Sequence, residues 1–109
     1  MTSLDTERSD SPHERVSAHD ARQWLARERN ARLTQLDAIE QSGQKDADEL
    51  MAAQTVSLRR VLKEIDHAEQ RLEAGKYGVC EECARPVAPE RLEILPYARC
   101  CVSCQKKAV

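Results

Sequence analysis

Two C-x-x-C pairs, Cys80-Glu81-Glu82-Cys83 and Cys101-Val102-Ser103-Cys104, stand seventeen residues apart. A C-x-x-C turn can aim both sulfurs at one ion, and a loop of this length can fold the second pair onto the first. Four thiolates fill the tetrahedral shell of Zn2+ and leave no vertex for water or substrate. The spacing predicts one structural zinc ion held by Cys80, Cys83, Cys101 and Cys104. A redox C-x-x-C would call for a βαβ setting, which this sequence does not offer. The fifth cysteine, Cys100, is surplus, because Cys101 gives the two-residue gap to Cys104. Its plain role is a small buried hydrophobe; its sharper one is a replacement ligand or an oxidation trigger that ejects zinc. His13, His19 and His67 have no ligand spacing to the cysteines and read as surface residues.

The rest of the chain has to fold with little bulk. It has 109 residues, three of them aromatic (Trp24, Tyr77 and Tyr97), and a third are charged. That suits long helices paired along a narrow seam better than a broad globular core. The formal charge of −2 is nearly balanced, unlike that of a protein that coats nucleic acid. Residues 75–109 carry six basic and four acidic side chains, an excess that offsets the negative charge of a four-thiolate zinc site. No apolar run approaches the ~20 residues that span a bilayer. The start, MTSLDTERSDSPHER, is polar and acidic, which argues against a signal peptide. The expected location is the cytoplasm, a reducing compartment where paired C-x-x-C motifs are metal ligands rather than disulfides.

Three regions follow. Residues 1–16 are expected to form a disordered polar tail. Residues 17–74 read as an antiparallel coiled-coil hairpin, with helices at about 17–42 and 47–74 and a tip at 43–48. Residues 75–109 form the four-cysteine finger. Ser17 is a candidate N-cap with Asp20 three residues on, and no Gly or Pro interrupts the chain up to Ser42. Ala18, Ala21, Leu25, Leu36 and Ile39 share a stripe, with Leu33 at its edge, which Arg29 and Arg32 break midway. Gly43 can end this helix and Asp46 can open the next, with Glu49 completing a D-x-x-E capping box. Met51, Gln54, Leu58, Val61, Ile65, Ala68 and Leu72 then alternate in steps of three and four, and Gly75 stops the run. At ~1.5 Å per residue each helix extends for nearly 40 Å, and a short loop between helices of equal length implies an antiparallel pair. The fold class is therefore mainly α: a helical hairpin followed by a small zinc finger.

The segment YGVCEECARPVAPERLEILPYARCCVSCQ, Tyr77 to Gln105, resembles the C-terminal finger of the DksA/TraR family. The likeness lies in Tyr77-Gly78, both C-x-x-C pairs and their gap, Arg91-Leu92, Pro96 and Gln105. It extends to the hairpin by architecture. The resemblance implies a transcription regulator that binds RNA polymerase rather than DNA, inserts its hairpin into the secondary channel and acts through acidic residues at the tip. Longer members carry a D-x-x-D-A motif there. This chain has Lys45-Asp46-Ala47-Asp48-Glu49-Leu50 instead, in which Ala-Asp-Glu resembles the short TraR-like members and makes Asp48 the best match. The polymerase-directed tip is thus Asp46, Asp48 and Glu49, of which Asp46 and Glu49 also serve as a capping box. Arg59, Arg60 and Lys63, with Arg22, Arg27, Arg29 and Arg32, could rest on an acidic channel wall or form an ordinary solvated flank.

No Ser/His/Asp set, phosphate-cradling loop or H-E-x-x-H motif occurs, so an enzyme is not expected. RNA polymerase is the partner implied, with no sequence-specific DNA binding, no membrane contact, and a monomer in preference to a dimer. Two alternatives stand beside this. One is a nucleic-acid-binding zinc module, disfavoured by Glu81-Glu82 in the first knuckle and by few aromatics for stacking. The other is a coiled-coil or redox-sensing adaptor without an active tip.

Overall fold

A computed structural model of the chain describes residues 16–42 and 49–107. The architecture is mainly helical, with two long helices, α1 (Ala18–Ser42) and α2 (Glu49–Glu73), and two short ones, α3 (Pro89–Ile94) and α4 (Val102–Lys107). Among the described residues the only β pairing is an isolated antiparallel bridge between Val79 and Pro86. The molecule is elongated, measuring 60 × 33 × 21 Å.

Local chemistry sets the helix ends. Ser17 Oγ accepts the Asp20 backbone N–H at 3.0 Å, which satisfies one of the free donors at the start of α1. At the same end of the hairpin, α2 closes on Gly75, whose φ of +75° only glycine adopts without strain. The Gly75 N–H donates to Leu72 O at 3.1 Å and the Lys76 N–H to Arg71 O at 2.8 Å, so two helix-end carbonyls are satisfied as the chain turns away. Residues 1–15, Gly43, Asp46 and Asp48 lie outside the described residues, as does the expected cap at the start of α2.

The two long helices run antiparallel. Arg29 of α1 reaches Asp66 and Glu69 of α2 at 2.5 and 2.6 Å, whereas Arg59 of α2 reaches back to Glu40 at 3.2 Å. Moving up one helix therefore means moving down the other. The seam is unevenly filled. At the foot Ala21 and Leu25 pack against Ile65 and Ala68, and this apolar patch continues into the finger through Tyr77, Cys80, Val87 and Leu92. Burying side chains the size of Leu25 and Ile65 stabilises the fold by about 1.5–3 kcal/mol each. Further out Ile39 is buried, Leu36 and Leu58 are half-buried, and a space of about 320 Å³ opens among Gln35, Ala38, Ile39, Gln54, Ser57 and Leu58.

Two features of the first stripe depart from its sequence pattern. Ala18, the first residue of α1, is exposed. Arg29 does not simply interrupt the seam but bridges it, and the hydrogen bonds it donates to Asp66 and then Glu69 hold its guanidinium pKa above the ordinary value. Arg32 stays within its own helix, paired with Glu28 at 3.0 Å.

Candidate metal centre

The finger is built from two knuckles laid against the foot. The first is a tight loop in which Cys80 N–H donates to Arg85 O at 2.8 Å, Ala84 N–H to Cys80 O at 3.0 Å and Val87 N–H to Gly78 O at 2.8 Å. Gly78 opens it at a φ of +84°, and a Cβ there would sit 3.6 Å from Leu92, so backbone conformation rather than space calls for glycine. The connecting segment contains α3, which starts on Pro89, where a missing N–H costs nothing. This helix buries Leu92 and directs Arg91 Nε to the Cys100 carbonyl at 3.0 Å. Tyr77 Oη donates to Pro96 O at 2.8 Å and ties the first knuckle to the end of that segment. The second knuckle enters α4 through Cys101, whose carbonyl accepts the Gln105 N–H at 3.0 Å.

These turns gather the sulfurs of Cys80, Cys83, Cys101 and Cys104 to within 4.8 Å of one another. Cys83 and Cys101 Sγ stand 3.8 Å apart. A tetrahedron with Zn–S bonds of about 2.3 Å has edges of about 3.8 Å, so the group fits one zinc ion. It is far looser than a disulfide, which needs ~2.05 Å, and none of the five cysteines is in a disulfide.

The electrostatics agree. Burial alone would push the Cys80 thiol up, but the backbone N–H groups of Cys101, Cys83 and Glu82 outweigh it and draw it down to about 6. The Glu82 N–H points at Cys80 Sγ from 3.4 Å. The Cys104 backbone likewise lowers Cys101, whereas Cys104, hydrogen-bonded to Cys101 and desolvated, is pushed up to about 12. Sulfurs this close cannot all hold negative charge by themselves; a divalent cation allows it. Cys100 lies outside the four-sulfur group, half-buried against the foot, its thiol pushed up by burial and then by Cys80.

Around the knuckles lies a polar cluster that the sequence pattern does not reveal. Glu81 takes His67 Nε2 at 2.5 Å and Arg71 Nη1 at 2.7 Å from α2, and Arg99 Nη1 at 3.6 Å from the approach to the second knuckle. Burial would raise the Glu81 carboxyl, but His67 and Arg71 hold it below its usual range. Arg99 grips Glu64 of α2 through two bonds of 2.7 and 3.1 Å, and Arg71 also donates to the carbonyls of Lys76 and Val79. His67 is therefore not a plain surface residue. The signal that could have found the cluster is Glu64, His67 and Arg71 at i, i+3 and i+7 on one helix face.

The tip residues fare differently. Glu49 is the first residue of α2, while Asp46 and Asp48 are outside the described residues. Of the basic residues proposed for a partner, Arg29, Arg32 and Arg59 already pair within the hairpin. None of the described helices is long and apolar enough to cross a membrane.

A helical hairpin rooted in a C4 zinc finger is the class that this fold and site define. Residues 75–109, about a third of the chain, match the prokaryotic dksA/traR C4-type zinc finger, so the finger is of the DksA/TraR type. It is 45% identical over 47 residues to General stress protein 16O of Bacillus subtilis, covering 43% of this chain and 29% of that protein. Over 49 residues it is 41% identical to the RNA polymerase-binding transcription factor DksA of Caulobacter vibrioides, covering 45% and 34%. These matches span about a third of each relative's length. The fold as a whole resembles that of transcription factor DksA2 from Pseudomonas aeruginosa, with a TM-score of 0.73 and 21% identity over 84% of this chain and 81% of that one.

Proposed function

We propose that this chain is a non-enzymatic regulator of transcription that binds RNA polymerase and inserts its hairpin into the secondary channel. In this reading Cys80, Cys83, Cys101 and Cys104 hold one zinc ion, which supplies cross-linking and no chemistry, since all four positions around it belong to the protein. The acidic tip, Asp46, Asp48 and Glu49, meets the partner, and the site of action is the cytoplasm. The rod carries this reading. Each of its helices has 25 residues, about 37 Å at the usual rise, and it projects from a finger whose relative in Caulobacter is described as binding RNA polymerase. Only a slender probe reaches a recessed centre, and the width of two packed helices keeps it slender.

The residues also argue against direct contact with nucleic acid. Glu81 of the first knuckle and Arg99 beside the second are spent on each other and on α2. Trp24 packs in part against the foot.

A purified transcription assay tests the proposal, with a pull-down of core polymerase beside it. The wild-type chain should be retained by polymerase and change promoter output. Asp48→Asn should keep its helix content by circular dichroism and its retention, but lose the effect on output. Equal activity of the two proteins would remove the acidic tip from the mechanism. Salt-sensitive retention on DNA without polymerase would favour a nucleic-acid module instead.

A further inference from the structure

The polar cluster has a geometry that neither the zinc nor the hairpin seam needs. Glu64, His67 and Arg71, one acidic and two basic residues, share one face of α2 over two turns. Each meets a finger residue of opposite character: Glu64 meets Arg99, while His67 and Arg71 meet Glu81. Glu81 lies between the two cysteines of the first knuckle, and Arg99 stands just ahead of the second. Glu81 N–H donates to Arg99 O at 2.9 Å, so the two finger residues are also tied to each other. Glu82 is the natural contrast. It carries the same charge in the same knuckle, yet among the described residues its carboxylate forms no ion pair.

The geometry points to Glu81 as a positioning residue that latches the zinc knuckle to the rod and fixes the angle and register at which the hairpin leaves the finger. Apolar packing at the foot adheres the two parts but has little direction, whereas ion pairs spread over two helical turns have it. Partly exposed pairs of this kind contribute little to stability, about 0–1 kcal/mol each, so orientation is what they can supply. The leverage is large. Glu49 lies about 27 Å along α2 from His67, and a rotation of about 10° there displaces the far end by about 5 Å. A tip that acts on a reacting centre tolerates far less. This consequence for activity rests on the polymerase-directed reading; the latch itself does not.

Residual dipolar couplings of the zinc-loaded full chain test it, because they show whether amides of α2 and of the finger share one alignment frame. The wild-type protein and Glu82→Gln should fit a single frame. Glu81→Gln should keep its zinc by native mass spectrometry yet require separate frames for rod and finger. Should Glu81→Gln shed zinc, the double change Glu64→Gln with His67→Gln, which lies wholly on α2, replaces it with the same expectation. In the transcription assay, Glu81→Gln should lose output and Glu82→Gln should not. A single shared frame in the zinc-retaining latch variant overturns the latch, whatever the transcription assay shows. Separate frames in a protein whose wild type leaves transcription unchanged would uphold the latch and remove the polymerase reading.

Discussion

The foot of the hairpin and its outer half use the same two helices and are held together by different forces. At the foot Leu25 and Ile65 have no exposed surface, and apolar residues from the finger complete their surroundings. Further out Leu50 and Val56 are 65% and 61% exposed, and Leu33 45%. There the helices are joined by Ile39, a few half-buried side chains and the Arg59–Glu40 pair. Packed apolar area scales with stability, while exposed ion pairs add little. The outer half therefore inherits its stability along the helices from the foot. Its low content of packed apolar surface makes it dependent on the knot below.

Stripping the metal should break this contrast most severely. Structural zinc in finger peptides contributes about 10–16 kcal/mol at neutral pH. Chelation, or Cys80→Ser, should therefore unfold the finger and expose Tyr77, Val87 and Leu92. With the foot uncovered, the outer half should lose helicity as well, because paired helices of three heptads are marginal alone. Circular dichroism against bound zinc would check this; helix content unchanged in the metal-free chain would show that the hairpin stands by itself.

Truncating one leucine in each half sharpens the contrast. Leu25→Ala removes a fully enclosed side chain and should cost about 2–5 kcal/mol. Leu58→Ala borders an existing space of about 320 Å³ and is half-buried, so it should cost about 1 kcal/mol or less. Urea titration followed by helix signal would read both. Equal losses would mean that the seam is one uniform structure.

The same division governs what could be read from the residues. The finger was legible because metal-ligand spacing is a local chemical constraint: two C-x-x-C turns can be recognised before anything is known of their surroundings. Gly75 was legible for a similar reason, since the end of a helix is fixed by its own backbone. The α2 stripe was legible too, but its pattern does not say which members are enclosed. Ile65 is, and Met51 is not, because only the foot gains a third wall from the finger. Arg29 looked like a fault in the α1 stripe, and it becomes a bridge only because the antiparallel register sets it opposite Asp66 and Glu69. The latch around Glu81 was least legible, as its charges come from three separate stretches of chain that meet only after the finger folds back.

The smallest effect expected concerns one hydroxyl at the foot. Tyr77 is buried, and desolvation pushes its phenol up to about 12 from an ordinary value of 10. In the folded protein it stays protonated and donates to the Pro96 carbonyl; in the unfolded chain it ionises near 10. Because the folded value is the higher one, the stability linked to this proton is fully present below about pH 10 and is lost as the pH rises through about 12. Tyr77→Phe should cost about 1 kcal/mol at neutral pH, the worth of one hydrogen bond, and should remove this part of the alkaline decline. Cysteines and lysines titrate in the same window, so the informative quantity is the difference between wild-type and Tyr77→Phe stabilities in urea at neutral pH and at successive pH values above 10. That difference should shrink as the pH climbs. A constant difference would mean that Tyr77 only fills space, and that the first knuckle is held to the connecting segment here by packing as non-directional as the seam beside it.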